Sequence, residues 1–306
     1  MKEKEEEKKW EGKTGGGQFG QQFLLRFLKR VDVCYLYPIL YLVIPFYLIF
    51  AAKGRNAIYR YFRDRHQYSR WKSTWCTYKN HIIFGKIVLD KFALMAGNKD
   101  QFKLHFPGNC IREMLGKDAG FIIASAHMGN LELSGLSIPH GRKRLNTIIF
   151  GGERAEFQKK RNDAFGEMDI NLIPVQEDMS HLFAIKEAID NNEVVVIPCD
   201  RIYGSPKSVT CQLLNGTAQL PLGPFRLSAQ LGVPVFTLFI MKEKDNSYTV
   251  YEDTIDLHEE LPNSVQRAEA MAKEFAKKME EKMIEYPAQW FNFFPYWNDN
   301  NNIKKQ

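Results

Sequence analysis

The residues best able to do chemistry stand together in Phe121-Ile-Ile-Ala-Ser-Ala-His127-Met-Gly-Asn-Leu-Glu132. An apolar run stops on a histidine, a small-residue turn follows, and a glutamate comes five positions after the histidine. A histidine backed by a carboxylate makes a general base suited to neutral pH. The imidazole takes a proton from an alcohol or amine, while the carboxylate fixes its tautomer and stabilises the imidazolium. Five residues along one regular helix would put the two side chains on different faces. The pair therefore works only if His127 precedes a helix and Glu132 sits in its first turns, with Met128-Gly129-Asn130 between them. Spacing alone fits a structural histidine equally well. The end of a buried strand is a better clue, because open α/β sheets place ligands at the carboxyl ends of their strands.

The elements around this pair read as an alternation. Short β-rich runs are expected at 102–106, 121–126, 145–150, 171–175, 194–198, 209–214, 233–240 and 248–254. Helical patterns fall at 109–115, 130–136, about 153–168, 180–191, 222–231 and 263–285. That order predicts an α/β fold with a mainly parallel central sheet flanked by helices. No internal repeat is present.

The N-terminal third is different. Residues 1–25 read as a disordered polar tail, mixed in charge and then rich in glycine. Gly12-Lys13-Thr14 is not a phosphate-binding loop, since Glu7 stands where that motif needs its first glycine. Val33 to Ala52 then runs about twenty residues without a charge, the length of a helix that crosses about 30 Å of hydrocarbon. The anchor, residues 26–54, is flanked by Arg26, Lys29 and Arg30 before and by Lys53, Arg55, Arg60, Arg63 and Arg65 after. Denser positive charge on the C-terminal side predicts a cytoplasmic catalytic domain, with the anchor either single-pass or monotopic. Residues 55–96 read as a helical, membrane-proximal part in which aromatic rings mix with arginines. The main domain extends to 297, and 298–306 is a polar tail. The five cysteines show no paired spacing and point to a reducing compartment. The formal charge of +6 favours an anionic membrane surface or an acidic partner and is too small to indicate nucleic acid. His66, His81, His105, His140, His181 and His258 are isolated, so no metal site is expected, and no G-x-S-x-G elbow is present.

Ala126-His127-Met-Gly-Asn130-Leu-Glu132 resembles the H-[FM]-G-N-x-E signature of the bacterial lipid A late acyltransferases of lauroyl/myristoyl type, within the lysophospholipid acyltransferase-like superfamily. Other parts fall in the right order from about residue 25 to 297. They are the apolar anchor, a basic segment at Arg154–Arg161, an acid ending a strand at Asp200, Asn215-Gly-Thr-Ala before Pro221-Leu-Gly223-Pro, and Pro287-Ala-Gln-Trp. The resemblance implies transfer of a fatty acyl chain from acyl carrier protein to a hydroxyl of a membrane lipid or glycolipid, without a cofactor. It also implies the cell inner membrane as location and the bilayer as partner. Carried onto this chain, His127 is the base and Glu132 its orienting partner. Gly129 and Asn130 would offer backbone N–H groups to the oxyanion, and Arg154, Lys160 and Arg161 would hold an acceptor phosphate. Asp200 and Arg201 would form a wall of the site, and Gly216 would be a further substrate-binding residue. Asn215-Gly216 and the Arg201-Ile-Tyr-Gly loop depart from the commonest family forms, which leaves the acceptor open. The alternatives are another lipid acceptor (an aminolipid, a polyene lipid or a lysophospholipid) and a catalytically silent lipid-binding protein of the same fold. The related glycerophospholipid enzymes use H-x-x-x-x-D with an E-G-T-R loop, and this chain has neither.

Overall fold

The computed structural model describes residues 17–137, 143–149, 170–176, 180–202 and 207–297. In chain order the strands are β1 (Lys103–His105), β2 (Phe121–Ser125), β3 (Leu145–Ile149), β4 (Ile170–Pro174), β5 (Val194–Pro198), β6 (Ser208–Leu213), β7 (Gly216–Pro221), β8 (Val235–Lys242) and β9 (Ser247–Ile255). Seven of them form one sheet in the order β1-β9-β8-β2-β5-β3-β4. Every neighbouring pair is parallel except β8 with β9. The expected mainly parallel sheet is what the chain builds. β6 and β7 stand apart as an antiparallel hairpin. β7 is not among the expected strands, because Gly216-Thr-Ala-Gln lacks the apolar content of a β-rich run.

The central strands are covered on both sides, which is why they read as continuous apolar runs rather than as alternations. All five residues of β2 and all eight of β8 are buried. Ile122, Ala124 and Val195 pack on one face with Ile58, Ile185, Phe225 and Phe275. Those four come from α3 (Ala52–Arg60), a helix at Ser180–Asp190, a helix at Gly223–Leu231, and the long helix Ser264–Glu285. Phe121, Ile123 and Val196 face the other way, against Leu94 and Ile111. The last helix follows from its sequence. Asn263 caps it by accepting from the N–H groups of Val265 and Gln266, and Ala268, Met271, Ala272, Phe275, Met279 and Met283 return to one face at helical spacing.

The N-terminal part departs from expectation in detail. Residues 17–28 form α1 (Gly17–Leu28), so the last part of the expected tail is helical. The uncharged stretch is not one helix: a 3-10 turn over Val33–Leu36 leads into α2 (Tyr37–Phe50), whose C-cap is Ala51. Together they make one candidate span, Val33–Phe50, of which only 17 % is buried. The segment expected as helical over 55–96 is broken by a π-helical turn at Tyr61–Arg65 before α4 (Arg70–Met95). α2 lies along α4 at Gly85, where an added Cβ would come within 3.1 Å of Leu40. Its other face, with Leu42, Phe46 and Phe50, is exposed, as are Phe23 on α1 and Trp71 on α4.

Candidate active site

His127 and Asp200 are brought together by strand register. β2 and β5 are adjacent and parallel, with Phe121 opposite Val194 and Ser125 opposite Pro198. The ladder runs one step further through Cys199 N–H to the Ser125 carbonyl, 2.7 Å. Each strand then delivers the residue two places beyond its end to the same point. His127 Nδ1 lies 2.7 Å from Asp200 Oδ1. Its main-chain N–H donates to Asp200 Oδ2 at 3.1 Å, and Trp290 Nε1–H donates to the same oxygen at 3.3 Å. Tyr296 Oη–H closes the far side by donating to the Asp200 carbonyl at 2.7 Å.

Asp200 is fully buried, whereas the His127 side chain is 40 % exposed. Burial alone would raise the Asp200 carboxyl. The imidazole beside it, its hydrogen bonds and the nearby Arg201 guanidinium outweigh that and hold it at about 2. An ionised carboxylate that accepts at Nδ1 selects the tautomer with its proton there. Nε2, on the open side of the ring, is then the nitrogen that can take a proton from a hydroxyl.

The turn after His127 is held from behind. Gly129 has φ +58°, and a Cβ there would lie 2.0 Å from the Ile240 carbonyl, so only glycine fits. Gly129 N–H donates to the Gln289 carbonyl at 2.9 Å and Asn130 N–H to the Ile240 carbonyl at 2.8 Å. This corrects the expectation that these two amides would serve an oxyanion, because both already hold the turn. The His127 carbonyl accepts from Phe291 N–H at 2.9 Å. Thus Pro287–Phe291 is the backing of the histidine turn.

Glu132 lies in the 3-10 turn Leu131–Leu133, next to the start of the short helix Ser134–Ser137. Its carboxylate pairs with Lys91 Nζ at 2.5 Å, both side chains about a quarter exposed. The orienting position expected for Glu132 is therefore occupied by Asp200, which the sequence reading placed only in the site wall. The reason is reach: the carboxylate on the neighbouring strand meets Nδ1 directly, whereas Glu132 departs with the turn towards α4. Arg201 donates to the Phe291 carbonyl at 2.7 Å and stacks over Phe294. Gly216 is a close-packing point, with Arg65 Nη1 2.2 Å and Trp297 2.9 Å from a hypothetical Cβ. Arg154, Lys160 and Arg161 lie outside the described residues, as do His140 and Arg142. Lys143, which is described, donates to the carbonyls of Ala119 and Asn192.

No curated protein matches the chain. Among solved structures it is similar to the 1-acyl-sn-glycerophosphate (LPA) acyltransferase PlsC from Thermotoga maritima. That likeness has 16 % identity and a TM-score of 0.40, and covers 89 % of this chain and 100 % of the other. Residues 103–299 match the family described as bacterial lipid A biosynthesis acyltransferase. That range contains the histidine turn, Asp200 and the segment behind them, and it covers more than half the chain. The protein belongs to the bacterial lipid A biosynthesis acyltransferase family and is an acyltransferase.

Proposed function

We propose that the protein is a membrane-bound O-acyltransferase that moves a fatty acyl chain from acyl carrier protein to a hydroxyl of a lipid or glycolipid acceptor of lipid A type. The observation that carries this reading is the His127–Asp200 pair at the carboxyl edge of the parallel sheet, with the imidazole exposed and the carboxylate buried. The acceptor hydroxyl loses its proton to His127 Nε2 as its oxygen attacks the thioester carbonyl. The tetrahedral intermediate then collapses, the C–S bond breaks, and the imidazolium returns the proton to the leaving thiolate. Asp200 holds the ring and balances the imidazolium charge.

Glu132 stays in this reading as a site carboxylate that pairs with Lys91 and accepts a hydrogen bond from the acceptor. Because the amides of Gly129 and Asn130 are engaged, the oxyanion needs a side-chain donor. Arg154, Lys160 and Arg161 are assigned that task and the holding of an acceptor phosphate. The exposed apolar faces of α1, α2 and α4 are assigned to the inner membrane, with the domain on its cytoplasmic side. Exposed Phe23, Leu42, Phe46, Phe50 and Trp71 suit a lipid surface better than water. Lipid mass spectrometry of cells with and without the gene tests the assignment. A lipid lacking one acyl chain in the deletion strain supports it and names the acceptor. An unchanged lipid profile, with the gene expressed in the parent, removes it.

A further inference from the structure

Four polar side chains that the proposed reaction does not use meet behind the histidine turn. Asp90 of α4, Lys242 at the end of β8, Tyr248 of β9 and Tyr37 of α2 are each at most 5 % exposed. Lys242 Nζ lies 2.7 Å from Asp90 Oδ2, 2.9 Å from Tyr37 Oη, 3.3 Å from Tyr248 Oη and 2.6 Å from the Asp245 carbonyl. Tyr37 Oη–H donates to Asp90 Oδ1 at 2.5 Å, and Tyr248 Oη–H donates to Asp90 Oδ2. A buried ion pair is a poor source of stability, because desolvation offsets the attraction and well-packed apolar groups often do as well. Position is what such a network supplies that apolar packing does not.

The network reaches the turn by two routes. Tyr248 Oη accepts from Asn130 Nδ2 at 3.2 Å, and Asn130 is itself buried. Lys242 works through its main chain: its N–H donates to Gln289 Oε1 at 2.8 Å, and its carbonyl accepts from Gln289 Nε2 at 2.7 Å. The Gln289 carbonyl in turn holds Gly129 N–H. Side-chain and main-chain routes thus converge on the two residues after Met128.

We infer that Tyr248, fixed by Asp90 and Lys242, is a positioning residue that sets Asn130 and thereby aims the His127 imidazole; as a role in catalysis this rests on the acyl-transfer reading above. Tyr37 joins the same cluster, so the apolar helix α2 is docked on the polar centre that supports the site.

Tyr248→Phe tests this, since it keeps the ring and the Asp90–Lys242 pair and removes only the hydroxyl that meets Asn130. In the full-length enzyme in detergent, kcat is expected to fall about tenfold or more while KM for the acyl donor stays within about twofold. Carbethoxylation of His127 by diethyl pyrocarbonate, followed by peptide mass spectrometry, is expected to become several-fold faster as the turn loosens. The double variant Asp90→Leu/Lys242→Met removes both charges together and leaves neither unpaired. It is expected to fold and to show the same loss of kcat. Wild-type kcat and wild-type modification rate in Tyr248→Phe would overturn the inference, and so would a change confined to thermal stability. If the wild-type protein transfers no acyl group, the functional reading has failed. The modification rate needs no substrate and still decides whether Tyr248 positions His127.

Discussion

Replacing Asp200 by asparagine separates tautomer control from packing. The carboxylate faces three donors: Oδ1 meets His127 Nδ1, and Oδ2 accepts from the His127 main-chain N–H and from Trp290 Nε1–H. Asparagine has one oxygen to offer. If that oxygen faces the main chain and Trp290, two hydrogen bonds survive and the amide NH₂ points at Nδ1. If it faces Nδ1, only one survives and the NH₂ opposes two N–H groups. The first arrangement wins, and it turns Nδ1 into an acceptor, which moves the ring proton to Nε2 and removes the base. In Ser-His-Asp enzymes the same substitution lowers kcat by about 10⁴-fold. A loss of about 10³- to 10⁴-fold is expected here, equivalent to about 4–5.5 kcal/mol of barrier. The assay is transfer of labelled acyl groups from acyl carrier protein to the lipid acceptor by purified enzyme, alongside a thermal melt. A folded Asp200→Asn enzyme within tenfold of wild type would refute the reasoning.

Other substitutions probe other joints. Gly129→Ala must place a Cβ against the Ile240 carbonyl at a positive φ, and is expected to cost about 3 kcal/mol or more of stability, read as a lowered melting temperature or loss of folded protein. Glu132→Gln breaks a partly exposed pair with Lys91, so stability should change by less than about 1 kcal/mol while acyl transfer falls; unchanged transfer would remove Glu132 from the site. The Asp200 carboxyl is depressed in the folded state to about 2, against about 3.9 for an unperturbed aspartate. Its contribution to stability is therefore fully present above about pH 4 and is lost as pH falls towards 2. The stability difference between wild type and Asp200→Asn should shrink across that interval in melts at successive pH values.

The parallel sheet was legible because its central strands are buried on both faces and appear as Val- and Ile-rich runs bounded by turns. His127 was legible for the same reason, standing where such a run stops. Its partner was not. Glu132 is near in sequence and Asp200 is seventy-three residues away, and only the register of β2 against β5 makes the second the neighbour. One signal was present: both runs carry a chemistry-bearing residue two positions beyond their last strand residue. The oxyanion assignment to Gly129 and Asn130 failed because a main-chain N–H leaves no mark in the sequence of where it donates. Gln289 and Ile240 take those bonds from distant elements. The β6–β7 hairpin was half seen, since Gly216-Thr-Ala-Gln lacks the apolar content of a sheet strand. The twenty-residue uncharged stretch gave the apolar character of the N-terminal part, but not its division into a 3-10 turn and α2 or the packing of α2 on Gly85.

The central claim is that His127 is the base that activates the acceptor. Single-turnover acyl transfer from acyl carrier protein to the lipid acceptor, comparing wild type with folded His127→Gln at equal enzyme concentration, tests it most directly. Loss of the transfer step by about 10³-fold or more, with acyl-donor binding retained, is the expected result. Transfer at a rate near that of wild type would contradict it and move the chemistry away from this turn.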